Sequence, residues 1–218
     1  GKAGIRPDWT QTRSAFCSRH RAAAAMSEIA DAVDARHLVV SYSNEGLIDP
    51  ETLYDLLARR GRVTFLTTDY TVYRGGRQSM LRHVRNMEFV MVVSRSETAQ
   101  VADRDAMAQR LAAGRVAEAL QARFHPDRFV SIFGVCSGDV VLADALMATV
   151  RDGYEIVDVH GSVQNCSLRD LRGIADRLDG ARCSDHAEEA LVLVGLLANA
   201  VTFRREREQR LLWCLRKF

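Results

Sequence analysis

The chain has 218 residues, of which 47% are hydrophobic and 27% charged, so it has the composition of a folded globular protein rather than a disordered one. Its net charge of +2 is too small to identify a nucleic-acid-binding protein on its own. The five cysteines form no CxxC pair, and their odd number and irregular spacing argue against a disulfide framework.

The two ends of the sequence bear on location and completeness. The first residues lack the apolar core of a signal peptide, so a cytoplasmic location is expected. No stretch approaches a membrane span of about 20 apolar residues, and no membrane partner is expected. Position 1 is not Met and a helical pattern runs into Phe218, so we expect a piece of a longer protein.

The first half of the chain alternates helical and strand patterns. The periodicity predicts a helix over about 14–35, a strand over 37–42, a helix over 51–60, and strands over 62–69 and 88–94. Asp49 suits the N-cap of the second helix, Pro50 its first position and Gly61 its end. This order is typical of a parallel, helix-covered sheet. The last strand follows too short a connection for a helical crossover, so it should lie antiparallel beside its predecessor.

The second half begins after a boundary near Ser96 and is predicted to be mainly helical with a small sheet. We expect a helix pair over 98–124 that breaks near Gly114, strands over 129–135 and 154–159, and helices over 167–179, 185–202 and 205–217. Residues 140–150 fit either a strand or a helix.

Two polar stretches follow the first two strands. Ligands gather at the carboxyl ends of strands in parallel sheets. Residues 41–46 (SYSNEG) form a polar turn, and residues 70–79 (YTVYRGGRQS) combine aromatic rings for base stacking with arginines for phosphate binding. An ordinary surface turn explains either stretch equally well from the residues alone.

Two other patterns carry weaker signals. Residues 133–139 (FGVCSGD) are glycine-rich but lack GxGxxG, and a turn explains them more simply than a cofactor loop. His160, Cys166, Cys183 and His186 include a zinc-like spacing, but buried cysteines are the commoner outcome, so no metal site is predicted.

Four segments in order resemble adenine-specific DNA methyltransferases of the bacterial Dam-like class. They are GKAGIRPD at residues 1–8, SAFCSRHRAAAAM at 14–26, ARHLVVSYSNEGLI at 35–48 and YTVYRGG at 70–76. In that family a GxTGLRxY-like loop and an FCSKR-like helix start precede a strand ending in SYN(N/S)EG and a YRRYR-type segment. The resemblance covers about residues 1–95.

This resemblance implies a fold, a donor and an acceptor. Residues 1–95 would be the C-terminal half of a Rossmann-like methyltransferase sheet, and residues 96–218 a mainly helical α+β accessory domain. S-adenosylmethionine would donate the methyl group to the exocyclic amine of an adenine flipped out of double-stranded DNA. The target-base pocket would contain Ser41, Tyr42, Ser43, Asn44, Tyr70 and Tyr73. The DNA-binding residues would be Glu45, Gly46, Arg74, Gly75, Gly76, Arg77, Gln78 and Ser79.

The cofactor motif FxGxG and the catalytic motif Asp-Pro-Pro-Tyr of that family do not occur in this sequence. We therefore expect no catalytic residue in this chain, no activity when it is alone, and a partner that is a missing N-terminal half or a companion subunit. One alternative is a non-catalytic DNA-binding or specificity subunit derived from a methyltransferase. Another is a small α/β protein with an unrelated ligand at the strand ends.

Overall fold

A computed structural model describes residues 11, 13–44, 46–71 and 85–215. These residues form a mixed α/β structure with two three-stranded sheets and six α-helices. The chain divides into two compact units, one ending at Arg110 and the other beginning at Leu111. The division falls inside a helix, whereas the sequence indicated a boundary near Ser96.

The first unit carries the first sheet. Its elements are α1 (Arg19–Ala32), β1 (His37–Ser43), α2 (Pro50–Ala58), β2 (Arg62–Thr71) and β3 (Arg85–Ser94). Strand β3 pairs antiparallel with both β1 and β2, as predicted for β2, and lies between them. The expectation of a parallel sheet is therefore wrong for this unit. Strands β1 and β2 do run parallel, but β3 returns without a helical crossover and separates them.

Helix α2 begins and packs as its sequence indicates. The Asp49 carboxylate accepts a hydrogen bond from the Thr52 backbone N at 3.0 Å, and Pro50 is the first helical residue. Leu53 and Leu57 are fully buried. Alternating residues on one face of the sheet are buried as well: Val63, Phe65, Phe89, Met91 and Val93. Each such side chain contributes roughly 1.5–3 kcal/mol through burial, so this face forms the core of the unit.

The second unit has its own core around the second sheet. It contains the end of α3 (Val101–Ala119), α4 (Pro126–Phe133), β4 (Gly138–Ala143), β5 (Leu146–Arg151), β6 (Glu155–Gly161), α5 (Leu168–Ala181) and α6 (His186–Leu215). Strand β5 is central and pairs antiparallel with β4 and β6. Helix α5 buries Leu171, Ile174 and Leu178 in the same cluster as Phe129 of α4.

Several predicted elements of this half are wrong. Helix α3 runs unbroken through Gly114, because one glycine costs only about 1 kcal/mol in an alanine-rich helix. The predicted strand over 129–135 is mainly helix α4, which Pro126 starts and Gly134, with φ of 76°, ends. Helix α6 is one helix of 30 residues rather than two. The ambiguous residues 140–150 form the hairpin of β4 and β5.

Helix α6 also corrects the expectation that no stretch approaches a membrane span. Its segment His186–Glu206 is long and apolar enough, by length and composition alone, to cross a membrane. A core helix of a soluble protein meets the same criteria when it is buried. Here the apolar side chains of the segment are largely exposed in the described part of the chain.

Candidate nucleic-acid interface

The two predicted site stretches begin at the same edge of the first sheet. Strands β1 and β2 are parallel, so their carboxyl ends lie on one side of the molecule. Ser43 of β1 and Thr68 of β2 both lie opposite Glu88 of β3. Since neighbouring strands are about 4.8 Å apart, the two strand ends are separated by about 10 Å. Tyr70 continues β2 by two residues, opposite Asn86.

Much of the predicted site lies outside the described residues. This holds for Glu45, Tyr73, Arg74, Gly75, Gly76, Arg77, Gln78 and Ser79. Tyr70 is described through its place in the strand alone. The structure therefore brings residues 41–44 and Gly46 to the same edge as the end of β2, and the assignments beyond residue 71 stay predictions.

Tyr42 fixes the loop that follows β1. Its hydroxyl accepts a hydrogen bond from the Ile48 backbone N at 2.9 Å, and its ring centroid lies 6.1 Å from that of Phe89. The loop crosses so close to this ring that a Cβ atom added at Gly46 would lie 2.7 Å from the hydroxyl oxygen and closer still to the ring carbons. Glycine is thus required at position 46 while Tyr42 keeps its position.

Asn44 joins the same loop to β3. Its backbone N donates to the Met87 carbonyl at 3.1 Å, and its side-chain Oδ1 accepts from the Met87 backbone N at 3.0 Å. The side chain therefore extends the β1–β3 ladder by one step beyond Ser43. A direct contact from Asn44 to a base would use its amide nitrogen, which is a donor.

The residues at the end of β1 divide between the two faces of the sheet. Side chains alternate along a strand, so Ser41 and Ser43 lie on the face opposite Tyr42. Val39 precedes the serines on that face and is 63% exposed, and Leu66 of β2 lies on the same face and is 53% exposed. Within the described residues this face is open, whereas the Tyr42 face is covered.

The apolar runs of the sequence predict more burial than this sheet has. Residues 38–40 and 89–93 are continuous apolar runs, a pattern typical of strands buried on both faces. The structure buries one face alone. Val39 belongs to one of these runs, yet the described residues leave it exposed on the open face.

Arginines at the opposite edge of the sheet are engaged in ion pairs. Arg62, at the start of β2, donates to Asp103 at 2.8 Å and to Glu97 at 3.1 Å. Arg104 donates to both oxygens of Asp55 at 2.8 and 3.0 Å, and these hydrogen bonds lower the pKa of Asp55. Paired guanidinium groups add little net positive charge, so this edge is a poor phosphate-binding surface. A second arginine-rich run of the sequence, residues 74–85, contains no acidic residue and follows β2.

The glycine-rich loop at residues 133–139 serves as a connection between α4 and β4. Gly134 caps α4 in the left-handed conformation, and Gly138 begins β4. A Cβ atom added at either glycine would meet nothing within 4 Å. Both glycines have positive φ, 76° at Gly134 and 107° at Gly138, so the backbone conformation of the connection accounts for them.

Cys166 is buried and Cys183 is partly buried in the second unit. Burial raises the pKa of Cys166, and burial together with the nearby Glu188 raises the pKa of Cys183 to about 11. Across the residues that the structure describes, no group of three or more His, Cys, Asp or Glu side chains could hold a metal ion.

Comparison with known proteins shows a partial similarity to a methyltransferase. The chain is 31% identical over 74 residues to the Type II methyltransferase M.FokI of Planomicrobium okeanokoites. This similarity supports a relationship to the methyltransferases. The match covers 34% of this chain and 11% of the length of M.FokI. No family model matches the chain, and no solved structure matches it. Membership of the Dam-like class and adenine specificity stay predictions.

Proposed function

We propose that this chain is part of a site-specific DNA methyltransferase that transfers a methyl group from S-adenosylmethionine to the exocyclic amine of adenine. Residues 41–46 and 70–79 would supply the DNA-facing wall and part of the target-base pocket. The observation that carries this proposal is that both stretches begin at one sheet edge, in a chain that is partly similar to a methyltransferase.

The chemistry of these stretches suits a flipped-out base. Aromatic rings such as Tyr70 and Tyr73 stack on bases at roughly 1–3 kcal/mol per base. The amide nitrogen of Asn44 is a donor for acceptor nitrogens of adenine. Arg74 and Arg77 would bind the phosphates flanking the flipped nucleotide.

The methyl donor is not assigned to residues of this chain. The FxGxG and Asp-Pro-Pro-Tyr motifs that serve donor and acceptor in the resembled family are absent from the sequence. The loop at residues 133–139 lacks GxGxxG, and the positive φ of Gly134 and Gly138 accounts for its glycines without a donor. We assign donor binding to a complementary part, which is either an N-terminal half of the same enzyme or a companion subunit.

The first sheet offers a place for such a part. Strand β1 pairs with β3 on one side, and no described strand pairs with its other edge. A free strand edge is a template for a further strand, and an exposed apolar face indicates a missing neighbour. The complementary part would add strands beside β1 and cover Val39 and Leu66.

A non-catalytic DNA-binding or specificity subunit derived from a methyltransferase is the alternative. The absence of both motifs from the sequence favours it. In that case the strand ends would bind duplex DNA, and no methyl group would be transferred even when the N-terminal half of a methyltransferase is added.

A complementation assay tests the proposal. The chain, alone and mixed with the N-terminal half of a related methyltransferase, is incubated with duplex DNA and radiolabelled S-adenosylmethionine. Transfer to adenine is expected in the mixture but not with the chain alone. Val39→Glu on the open face should abolish complementation, because it buries a charge. Val101→Glu, at a residue 76% exposed on α3, is the matched control and should leave complementation intact.

Two outcomes would contradict parts of this proposal. Methyl transfer by the chain alone would overturn the assignment of the donor site to another part. Duplex binding without transfer in any mixture would favour the non-catalytic alternative.

A second prediction concerns the arginines after β2. Arg74→Ala combined with Arg77→Ala is expected to weaken duplex binding and flatten its salt dependence. Each phosphate contact adds about 0.9 to the slope of log K against log salt, so the slope should fall by about 2. Fluorescence anisotropy over a salt series measures it. Arg110→Ala with Arg169→Ala removes the same charge from exposed helix positions, and an equal slope change there would contradict the assignment.

A further inference from the structure

A row of polar residues crosses the first sheet at the point where strand β1 ends. Residues directly opposite one another on paired strands lie on the same face of a sheet. Ser43 of β1 lies opposite Glu88 of β3, so both side chains belong to the open face. Thr68 of β2 is the third position of this row. The row therefore lies at the edge where residues 41–46 and 70–79 begin.

The open face changes from polar to apolar with distance from this edge. A protein neighbour fits the apolar part, because it would remove Val39 and Leu66 from water. A ligand with hydrogen-bonding groups fits the polar end better. The next row along the strands contains Ser41, Val90 and Leu66, and the row after it contains Val39, Val92 and Thr64.

Glu88 supplies the negative charge of this face. Among the described residues of the three strands, Glu88 is the one acidic residue on the open face, and its side chain is exposed. No hydrogen bond or ion pair from another described residue engages its carboxylate. An ionised carboxylate accepts hydrogen bonds and donates none. The strand end therefore presents an acceptor that is available to a ligand with N–H groups.

A carboxylate at this place does not match a surface that binds phosphate alone. Residues 74–85, which follow β2, contain arginines and no acidic residue. Phosphate oxygens repel a carboxylate and offer it no hydrogen. The exocyclic amino groups of adenine and cytosine, in contrast, are donors at the edges of the bases. Arginines that bind the neighbouring phosphates would offset the repulsion between the phosphates and Glu88.

We propose that Glu88 is a specificity-determining residue that accepts a hydrogen bond from the exocyclic amino group of an adenine or cytosine in the recognised DNA sequence. This inference rests on the proposed function, in which the same strand ends face DNA. Glu88 reads a base and takes no part in methyl transfer. Guanine and thymine present carbonyl oxygens at the corresponding place in the major groove, so the carboxylate would repel them.

Selection of duplexes from a random-sequence pool tests this contact. The full wild-type chain and each variant are incubated with the pool, and the bound duplexes are sequenced. The wild-type chain is expected to prefer adenine or cytosine over guanine and thymine at one position by roughly 10-fold, as one good contact to a base edge provides. Glu88→Ala should lose the preference at that position alone. Glu28→Ala removes the same charge from an exposed position on α1 and should keep every preference.

Glu88→Gln separates hydrogen bonding from charge. Glutamine keeps an acceptor oxygen and adds an amide donor. The variant should still bind adenine or cytosine at the selected position, and it should now also accept guanine and thymine through their carbonyl oxygens. A residue with a purely structural role would not change its base preference in this way. Glu88 is exposed, so both variants are expected to keep the fold.

Binding of a duplex that lacks the selected site reports the charge of Glu88. A carboxylate close to phosphates weakens such binding, because like charges repel. Glu88→Ala and Glu88→Gln should therefore bind this duplex roughly two- to fivefold more tightly than the wild-type chain at low ionic strength. Fluorescence anisotropy measures the dissociation constant, and Glu28→Ala should match the wild-type chain. Unchanged binding by both Glu88 variants would place the carboxylate away from the DNA and overturn the proposal.

The failure of this inference can be told apart from the failure of the proposed function. A wild-type chain that binds duplex DNA but prefers no base would overturn the role of Glu88 and leave the proposed function standing. Wild-type preferences in Glu88→Ala would have the same consequence. A wild-type chain that binds no duplex would contradict the proposed function, and the role of Glu88 would fall with it.

Discussion

Phe89→Ala is expected to lower the free energy of unfolding by about 3–5 kcal/mol, the range for truncating a buried phenylalanine. Phe89 is buried in the central strand β3. Its ring centroid lies 5.2 Å from that of Phe65 on β2 and 6.1 Å from that of Tyr42 on β1. A single side chain thus connects all three strands, so its loss leaves a cavity that no one strand can fill. Urea denaturation followed by circular dichroism measures the change.

Two further variants separate the cavity from other effects. Phe89→Leu keeps most of the apolar volume and should cost less than about 1.5 kcal/mol. Leu66→Ala removes an exposed side chain from the open face and should change stability by less than about 0.5 kcal/mol. If Phe89→Ala lowered the free energy of unfolding by only about 0.5 kcal/mol, the contacts of Phe89 with Phe65 and Tyr42 would not be what stabilises the sheet.

The same substitution should also reach the strand-end loop. Tyr42 rests against Phe89 and accepts the hydrogen bond from Ile48, so losing the Phe89 ring removes the support of that bond. Hydrogen exchange at the Ile48 amide is expected to accelerate more than at Thr52, whose amide is held by Asp49. The stability of the sheet and the order of the candidate site are therefore coupled.

Local chemistry in the sequence predicted the elements whose ends are set by nearby residues. Helix α2 follows from Asp49 and Pro50, and both act as expected. Phe129 and its β-branched neighbours favour a strand, yet the segment forms helix α4. Pro126 and the left-handed Gly134 make the segment helical, and the sequence contains both. These terminal signals outweigh β propensity in this segment.

The order of the strands needed information that local patterns do not contain. The short connection predicted that β3 returns beside β2, and it does. Whether β3 then lies outside β2 or between β2 and β1 depends on which edge is free, and that is a property of the assembled sheet. The Asn44–Met87 bonds join residues 43 positions apart and were unpredictable for the same reason.

Gly61→Ala is expected to destabilise the protein by more than about 2 kcal/mol. Gly61 connects α2 to β2 with φ of 153°, a region that costs other residues about 1–3 kcal/mol. An added Cβ atom would also collide with the Ser94 carbonyl oxygen and lie 2.9 Å from the Cα of Arg95. Both atoms are backbone, so relief requires moving the end of β3 away from the start of β2.

Gly173→Ala provides a control of opposite sign. Gly173 lies inside α5, where an added Cβ atom would meet nothing within 4 Å. Alanine there should stabilise the protein by roughly 0.5–1 kcal/mol through helix propensity. Thermal denaturation of both variants should shift the midpoint in opposite directions. If both variants shifted the denaturation midpoint in the same direction, the α2–β2 junction would tolerate a side chain at Gly61. The register of β2 against β3 would then not depend on the close approach of Gly61 to the backbone of Ser94 and Arg95.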